Sequence, residues 1–281
     1  LLDEKNLWGA IRKMRILLTG FKGFIGKNVH KTLLEKYDNI ISLCCIEKDY
    51  ITDQFWPTRL SRAVIDCDVI LHIGAISDTM LKDCNEMLKY NYEFSRKLFD
   101  YAESFDKKVV YSSSAANTGD EGIPSNIYGW SKYLTENYGM AKVSNFVALR
   151  YFNVYGPGEE HKGKMASVAY QAYQKGEFKL FPKNPKRDFV YIDDVVDATL
   201  YAVFNNIKKG VYEVGTSKKR PFEDMLNLMN IKYEYREEND IPKGYQFHTE
   251  ANEKNFMRGW KPEYSLEDGI KKYKSYLDEN L

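Results

Sequence analysis

Cysteine is scarce: Cys44, Cys45, Cys67 and Cys84 are the only four in 281 residues. They show neither the paired spacing of a metal site nor a disulfide framework. They read as reduced core thiols of a cytoplasmic protein, and no metal is expected. No stretch reaches the roughly 18 apolar residues of a membrane span, so a membrane partner is not expected. Charge of one sign is lacking too. Lys and Arg number 41 against 40 Asp and Glu, for a net charge of +1, whereas a dedicated nucleic-acid binder carries a large basic excess. Internal repeats and low-complexity tracts are absent. The first 13 residues, with Asp3, Glu4 and Lys5, have no signal-peptide apolar core and are expected to be an extension ahead of a start at Met14.

What is present is 43% hydrophobic residues, enough to bury one large domain or two smaller ones. Apolar strand-like runs alternate with helical patterns, which predicts an α/β fold: a Rossmann-type doubly wound parallel sheet covered on both faces. Strands are expected at 15–19, 40–46, 69–73, 108–112, 146–151 and 211–214, and helices at 91–102, from Tyr128 to about Ala141, and at 195–204. Ser265 can cap a last helix through its side-chain oxygen. The expected division is a dinucleotide-binding domain of 14–154 plus about 188–215, and a smaller substrate-binding domain of about 155–187 plus 216–281.

Two motifs carry chemistry. Gly20-Phe21-Lys22-Gly23-Phe24-Ile25-Gly26 follows the apolar Ile16-Leu17-Leu18 and opens an amphipathic stretch with Ile25, Val29 and Leu33 four residues apart. This strand–turn–helix context is the one the glycine fingerprint requires. Gly20 permits the sharp turn, Gly23 the close approach of a pyrophosphate, and Gly26 the packing of helix on strand, with N-terminal N–H groups facing the phosphates. Glu47 stands about 20 residues beyond the turn, where an acid takes the ribose hydroxyls of NAD. Lys22 and Lys48 are placed to meet the 2'-phosphate of NADP instead, so both cofactors stay open.

The second motif is Tyr128-Gly129-Trp130-Ser131-Lys132, in which the tyrosine and lysine share one helix face. A phenol of ordinary pKa near 10 is a poor base at neutral pH. A nearby ammonium and an oxidised nicotinamide favour the phenolate, while Ser114, at the end of the run Val109-Val110-Tyr111-Ser112-Ser113-Ser114, can hold a substrate oxygen. Ser114, Tyr128 and Lys132 therefore suit a hydride-transfer site.

With these motifs in this order, the chain resembles the extended short-chain dehydrogenases that modify nucleotide sugars, over nearly all of Met14 to about Tyr276. The likeness also rests on Leu71-His72-Ile73-Gly74-Ala75-Ile76-Ser77, on Arg150-Tyr151-Phe152-Asn153-Val154-Tyr155-Gly156-Pro157 and on Arg187-Asp188-Phe189-Val190-Tyr191-Ile192-Asp193-Asp194. The narrower segments His161-Lys162-Gly163-Lys164-Met165-Ala166-Ser167 and Gly244-Tyr245-Gln246-Phe247-His248-Thr249-Glu250 are similar to those of the branch that epimerises an ADP-linked manno-heptose at C6.

The resemblance implies an epimerase with NADP or NAD tightly bound, one per subunit, a nucleotide-sugar substrate, and assembly into a homo-oligomer. By the same resemblance Lys162 is a second acid/base opposite Tyr128, and Phe24, Ile25, Ala75, Ser77, Asn91, Lys132 and Val154 line the cofactor. Ser114, Asn153, Lys164, Arg187 and Tyr245 match substrate-contacting positions. Arg187 can fork onto phosphate oxygens, or pair structurally with Asp188 or Asp194.

Several positions depart from the family pattern. The interval from Ser114 to Tyr128 is shorter than usual, and so is that from Glu47 to Cys67, which shrinks the adenine side. Thr118 replaces a usual tyrosine, Lys164 a common serine and Gln171 a histidine. These changes leave room for another nucleotide-sugar epimerase, such as a 4-epimerase, or for a scaffold that binds a dinucleotide without turnover. Ala115-Ala116 speaks against a 4,6-dehydratase, where an Asp-Glu pair is usual, and an intact Ser114, Tyr128 and Lys132 speak against the scaffold.

Overall fold

The computed structural model describes residues 14–36, 40–43, 54–119, 122–242 and 245–281. Glu47, Lys48, Cys44, Cys45, Gly244 and residues 1–13 lie outside them, so the acid expected at the ribose and the expected N-terminal extension are not part of the description. Of the two cysteines described, Cys67 is buried as expected of a core thiol, but Cys84 is exposed and free. That corrects its assignment to the core: it opens a short helix at the protein surface.

Six parallel strands form the main sheet among the described residues: β1 (Ile16–Thr19), β2 (Ile40–Leu43), β3 (Val69–His72), β4 (Lys108–Ser114), β5 (Phe146–Tyr151) and β9 (Gly210–Val214), in the order β2-β1-β3-β4-β5-β9. Sequential strands run outward from β1 in both directions, so the sheet is doubly wound and its switch point lies between β1 and β3. Parallel strands buried on both faces read as continuous apolar runs, which explains why β1 and β3 are buried at every position. The two faces feed separate cores. Ile16, Leu18, Val69, Leu71, Val110 and Leu149 face one side, with α1 (Phe24–Lys36) and α7 (Ile192–Phe204). Leu17, Ile70, Val109, Tyr111 and Phe146 face the other, with α2 (Trp56–Asp66) and α4 (Phe94–Ser104).

The helix expected at 91–102 is longer and interrupted. It begins as α3 (Cys84–Leu88), capped by Asp83, passes through one wide π-turn over Lys89–Glu93, and continues as α4. A π-turn inserts a residue into the ladder and often marks a functional place; periodicity alone does not signal it. Helix α5 (Ile127–Lys142) carries Tyr128 in its first turn, with Asn126 accepting the Gly129 N–H at 2.8 Å as its cap.

Beyond β5 the chain leaves the main sheet. β6 (Asn153–Tyr155), β8 (Lys186–Tyr191) and β10 (Lys219–Pro221) form a small sheet in the order β10-β8-β6, and β7 (Glu177–Leu180) pairs with β11 (Lys232–Tyr235). Helices α6 (Val168–Lys175), α8 (Phe222–Met229) and α9 (Leu266–Asn280) complete the part. Ser265 caps α9 as its sequence indicates, accepting the Asp268 N–H at 3.1 Å. No helix among the described residues is long and apolar enough to cross a membrane.

Candidate active site

Register places the motifs along one edge. Thr19, His72 and Tyr111 are lateral partners at the carboxyl ends of β1, β3 and β4, so the glycine turn, the loop after β3 and the Ser112–Ser114 strand end emerge side by side. Ligands of open α/β sheets bind outside these strand ends.

The turn has the tightness that a dinucleotide cradle needs. Gly20 sits at φ +73°, and a Cβ there would lie 2.4 Å from the Gly74 Cα. A Cβ on Gly26 would meet the Gly20 carbonyl oxygen at 2.1 Å. Gly23 donates its N–H back to that oxygen at 3.0 Å, which closes the turn at the mouth of α1. The backbone of Gly20–Gly26 therefore fits a pyrophosphate at a helix N-terminus, with Phe24 buried beneath it and Ile25 packed against the same core. Ala75 and Ser77 lie in the neighbouring loop after β3, with Ser77 exposed.

Ser114 and Tyr128 are brought together despite the short interval between them. Ser114 caps the short turn Ala115–Asn117 by accepting the Ala116 N–H at 3.2 Å, and its hydroxyl stands beside the Tyr128 phenol. Gly129 makes the approach possible, since a Cβ there would meet the Ala116 carbonyl oxygen at 2.5 Å. Burial pushes the Tyr128 phenol above its ordinary pKa, and the Ser114 hydroxyl beside it opposes the shift. Lys132 lies one turn on and is only 3% exposed. Its Nζ donates to the Ser112 carbonyl at 2.6 Å and rests 4.8 Å from the centroid of the Tyr111 ring. Burial drops its pKa to about 7, with Glu136 pulling the other way. Lys132 is thus anchored under the strand end.

Sequence reasoning missed what supports this group. The buried Glu136 carboxylate accepts from Ser113 Oγ at 2.6 Å, Asn117 Nδ2 at 2.9 Å and the Arg150 guanidinium at 3.0 and 2.5 Å. Tyr128, Lys132 and Glu136 recur every four residues on one helix stripe. A carboxylate continuing a buried stripe was the available signal. Asn91, expected at the cofactor, is spent on the protein. Its amide holds both the Ile76 N–H (2.7 Å) and carbonyl (2.9 Å), and reaches Ser131 Oγ at 3.0 Å.

The remaining predicted residues come from the second part of the chain. Lys162 lies in the turn Glu160–Met165, which bends at Gly163 (φ +54°), a left-handed residue that favours glycine. Glu159, fully buried, fixes this segment by accepting from Ser167 N and Oγ at 2.5 and 2.7 Å and from Gly156 N at 3.2 Å. Lys162 Nζ stands 5.3 Å from the Phe24 ring centroid at the glycine turn, and burial lowers its pKa. Lys164 is exposed, with its backbone carbonyl held by Gln171 at 3.3 Å. Val154 pairs with Val190 between β6 and β8.

Asn153 is oriented: Thr249 Oγ1 accepts the Asp188 N–H at 3.3 Å and donates to Asn153 Oδ1 at 3.0 Å, leaving the amide's N–H groups for other partners. Arg187 is buried between the rings of Tyr245 (5.2 Å) and Phe222 (5.5 Å). It donates to the carbonyls of Lys186 and Phe247 at 3.0 Å and to that of Gln246. The carboxylates considered as its partners are engaged elsewhere. Asp188 takes the N–H groups of Thr216, Ser217 and Ala251, and Asp194 those of Glu263 and Tyr264.

Comparison with known proteins gives the family and the overall fold. The NAD dependent epimerase/dehydratase family matches residues 16–215. An ADP-L-glycero-D-manno-heptose-6-epimerase of Brachyspira hyodysenteriae is 33% identical, over 94% of this chain and 98% of that protein. One from Cupriavidus pinatubonensis is 32% identical over 75% and 76%. The crystal structure of the Helicobacter pylori ADP-L-glycero-D-manno-heptose-6-epimerase superposes with a TM-score of 0.81 at 28% identity, covering 99% and 98% of the two chains.

Proposed function

Because the chain belongs to the NAD dependent epimerase/dehydratase family, we propose that it is a nucleotide-sugar epimerase that inverts C6 of an ADP-linked manno-heptose by transient oxidation and re-reduction. The observation that carries the reading is the approach of Tyr128 to Ser114, allowed by the seat of Gly129 on the Ala116 carbonyl, at the strand edge shared with the glycine turn. The relatives named for this reaction supply the substrate.

The turn Gly20–Gly26 would hold the pyrophosphate of a nicotinamide dinucleotide, which supplies a hydride acceptor and donor and, when oxidised, a positive charge near the phenol. Tyr128 takes the proton of the C6 hydroxyl while Ser114 holds the same oxygen. Lys132, fixed by the Ser112 carbonyl, orients the dinucleotide and steadies the phenolate. The resulting ketone is planar at C6, and when it presents its other face, Lys162 is the acid that serves it. Burial lowers its pKa, which makes its ammonium a readier proton donor. Residues about 155–187 and 216–281 would receive the nucleotide: Asn153 presents amide donors, Arg187 and Tyr245 an aromatic and cationic wall for the diphosphate. Return of the hydride within one turnover calls for a cofactor kept bound throughout, and the family points to NAD.

The test is incubation of the purified protein with the ADP-linked heptose, followed by resolution of the two C6 epimers. A substrate deuterated at C6 should keep its label. Interconversion with label retained is expected. Inversion of a C4 centre in a UDP-sugar, with the heptose untouched, would move the assignment to the 4-epimerases, and binding of dinucleotide without any turnover would leave only a scaffold.

A further inference from the structure

A line of hydrogen bonds behind the glycine turn takes no part in the steps above. His72 closes β3, is fully buried, and is boxed by Phe94, Phe99 and Tyr111 at ring distances of 5.7, 5.9 and 5.6 Å. Its Nδ1 lies 2.7 Å from Oγ1 of Thr19, the residue before Gly20, and its Nε2 lies 2.7 Å from Ser95 Oγ, one turn beyond Asn91.

The neighbours decide where the protons sit. A serine hydroxyl has one proton, and Ser95 gives it to the Asn91 carbonyl at 2.5 Å. Ser95 can therefore meet the imidazole only as an acceptor, so Nε2 carries the hydrogen. Desolvation keeps the ring neutral, which leaves Nδ1 bare and makes Thr19 its donor. Thr19 Oγ1 in turn accepts the Gly74 N–H at 3.1 Å. The bonds run in one sense, from Gly74 through Thr19, His72 and Ser95 to Asn91. Asn91 carries the connection onward: its Nδ2 donates to Ser131 Oγ, and the Ser131 hydroxyl donates to the Tyr128 carbonyl at 2.7 Å. The line joins the residue before the glycine turn to the first turn of the tyrosine helix.

We propose that His72, held as its Nε2–H tautomer, is a positioning residue for epimerisation that sets the separation between the glycine turn and Tyr128. The role in turnover rests on the reading of Tyr128 as the base; the tautomer does not. Reacting atoms must meet at about 3–3.5 Å, and misplacement by 1 Å costs on the order of a hundredfold in rate. A rigid ring with an acceptor on one side and a donor on the other spans strand and helix at a fixed length. An apolar ring in its place would leave the Thr19 and Ser95 hydroxyls without that partner in a dry interior.

The first measurement is the nitrogen-15 spectrum of the His72 ring in the full chain between pH 6 and 8. A protonated Nε2 with a bare Nδ1 is expected; an Nδ1–H tautomer or an imidazolium overturns the proposal, whatever the enzyme's substrate. The second is kinetic. His72→Phe fits the aromatic box but cuts both bonds, and should lower kcat at least tenfold with the sugar KM changed less than threefold. His72→Gln, which can still donate toward Ser95, should recover part of that loss. A folded His72→Phe enzyme with unchanged kcat overturns the positioning role even if it melts earlier. Should neither variant fold, Ser95→Ala decides: a reduced kcat at constant KM supports the role, and an undisturbed kcat overturns it.

Discussion

The two banks of the proposed site are built on opposite plans. On the sheet side, Ser113, Asn117 and Glu136 are buried and bonded to one another, and His72 is buried between the Thr19 and Ser95 hydroxyls. On the other side the cations sit on rings and at the rim. Arg236 lies 5.0 Å from the Phe181 ring centroid, Lys183 pairs with Glu238 at 2.9 Å with both side chains mostly exposed, and Lys164 is open to water. Buried paired groups hold a geometry that changes little; exposed charges on long side chains contribute little each and can be exchanged. Under the proposed function, the reaction step falls to the rigid bank and the choice of sugar nucleotide to the adaptable one. That is also where Thr118 aside, the departures Lys164 and Gln171 fall.

The contrast can be broken most severely at the phenol. Tyr128→Phe should cut kcat by about 10³-fold, in the range of general-base removal, with dinucleotide affinity and melting temperature nearly unchanged; undiminished turnover would remove Tyr128 as the base. Glu136→Ala strips the carboxylate from a partly buried guanidinium and from the Ser113 and Asn117 donors, and should lower unfolding free energy by about 3 kcal/mol in urea titrations. A loss below 1 kcal/mol would show that the rigid bank does not depend on its ion pair.

Acid tests the same bank more gently. Burial takes the His72 pKa from 6.5 to about 3. Between those values the unfolded chain binds the proton and the folded chain does not, so stability is full above pH 6.5 and declines as pH falls. Between pH 7 and 4 the wild type should lose roughly 3 kcal/mol more than His72→Phe, at 1.36 kcal/mol per unit. Parallel stability curves for the two proteins would contradict a neutral buried imidazole. On the adaptable bank, Arg187→Lys should raise the sugar KM about tenfold with kcat within twofold, since an ammonium lacks the guanidinium's planar fork. A kcat effect larger than the KM effect would place Arg187 in the rigid set.

Much of the rigid bank's chemistry could be read from the chain, and little of its scaffolding. Gly20, Gly23 and Gly26 follow a strand and open a helix as their spacing says, because the turn is local and sterically demanding. The Tyr128–Lys132 spacing likewise needs only helical geometry. The contact between Ser114 and Tyr128, by contrast, depends on how closely α5 seats on the Ala115–Asn117 turn. Asn91 shows the limit most plainly: its place in the π-turn at Lys89–Glu93 and the hold of its amide on Ile76 and Ser131 have no local signal in the sequence. Partnerships such as Glu136 with Arg150, or His72 with Thr19 and Ser95, join residues far apart in sequence, and no local period encodes them. Cys84 was misplaced for a simpler reason: a residue's average preference for burial says nothing of where a helix happens to begin.

The seat of Gly129 on the Ala116 carbonyl has a consequence for how such enzymes diversify. The helix is indexed on the strand end by a backbone-to-backbone touch, not by the length of the segment that links them. Segments of different size can therefore be spliced between Asn117 and Asn126 without retuning the reactive pair, which makes that stretch a natural cassette for remodelling what the enzyme accepts.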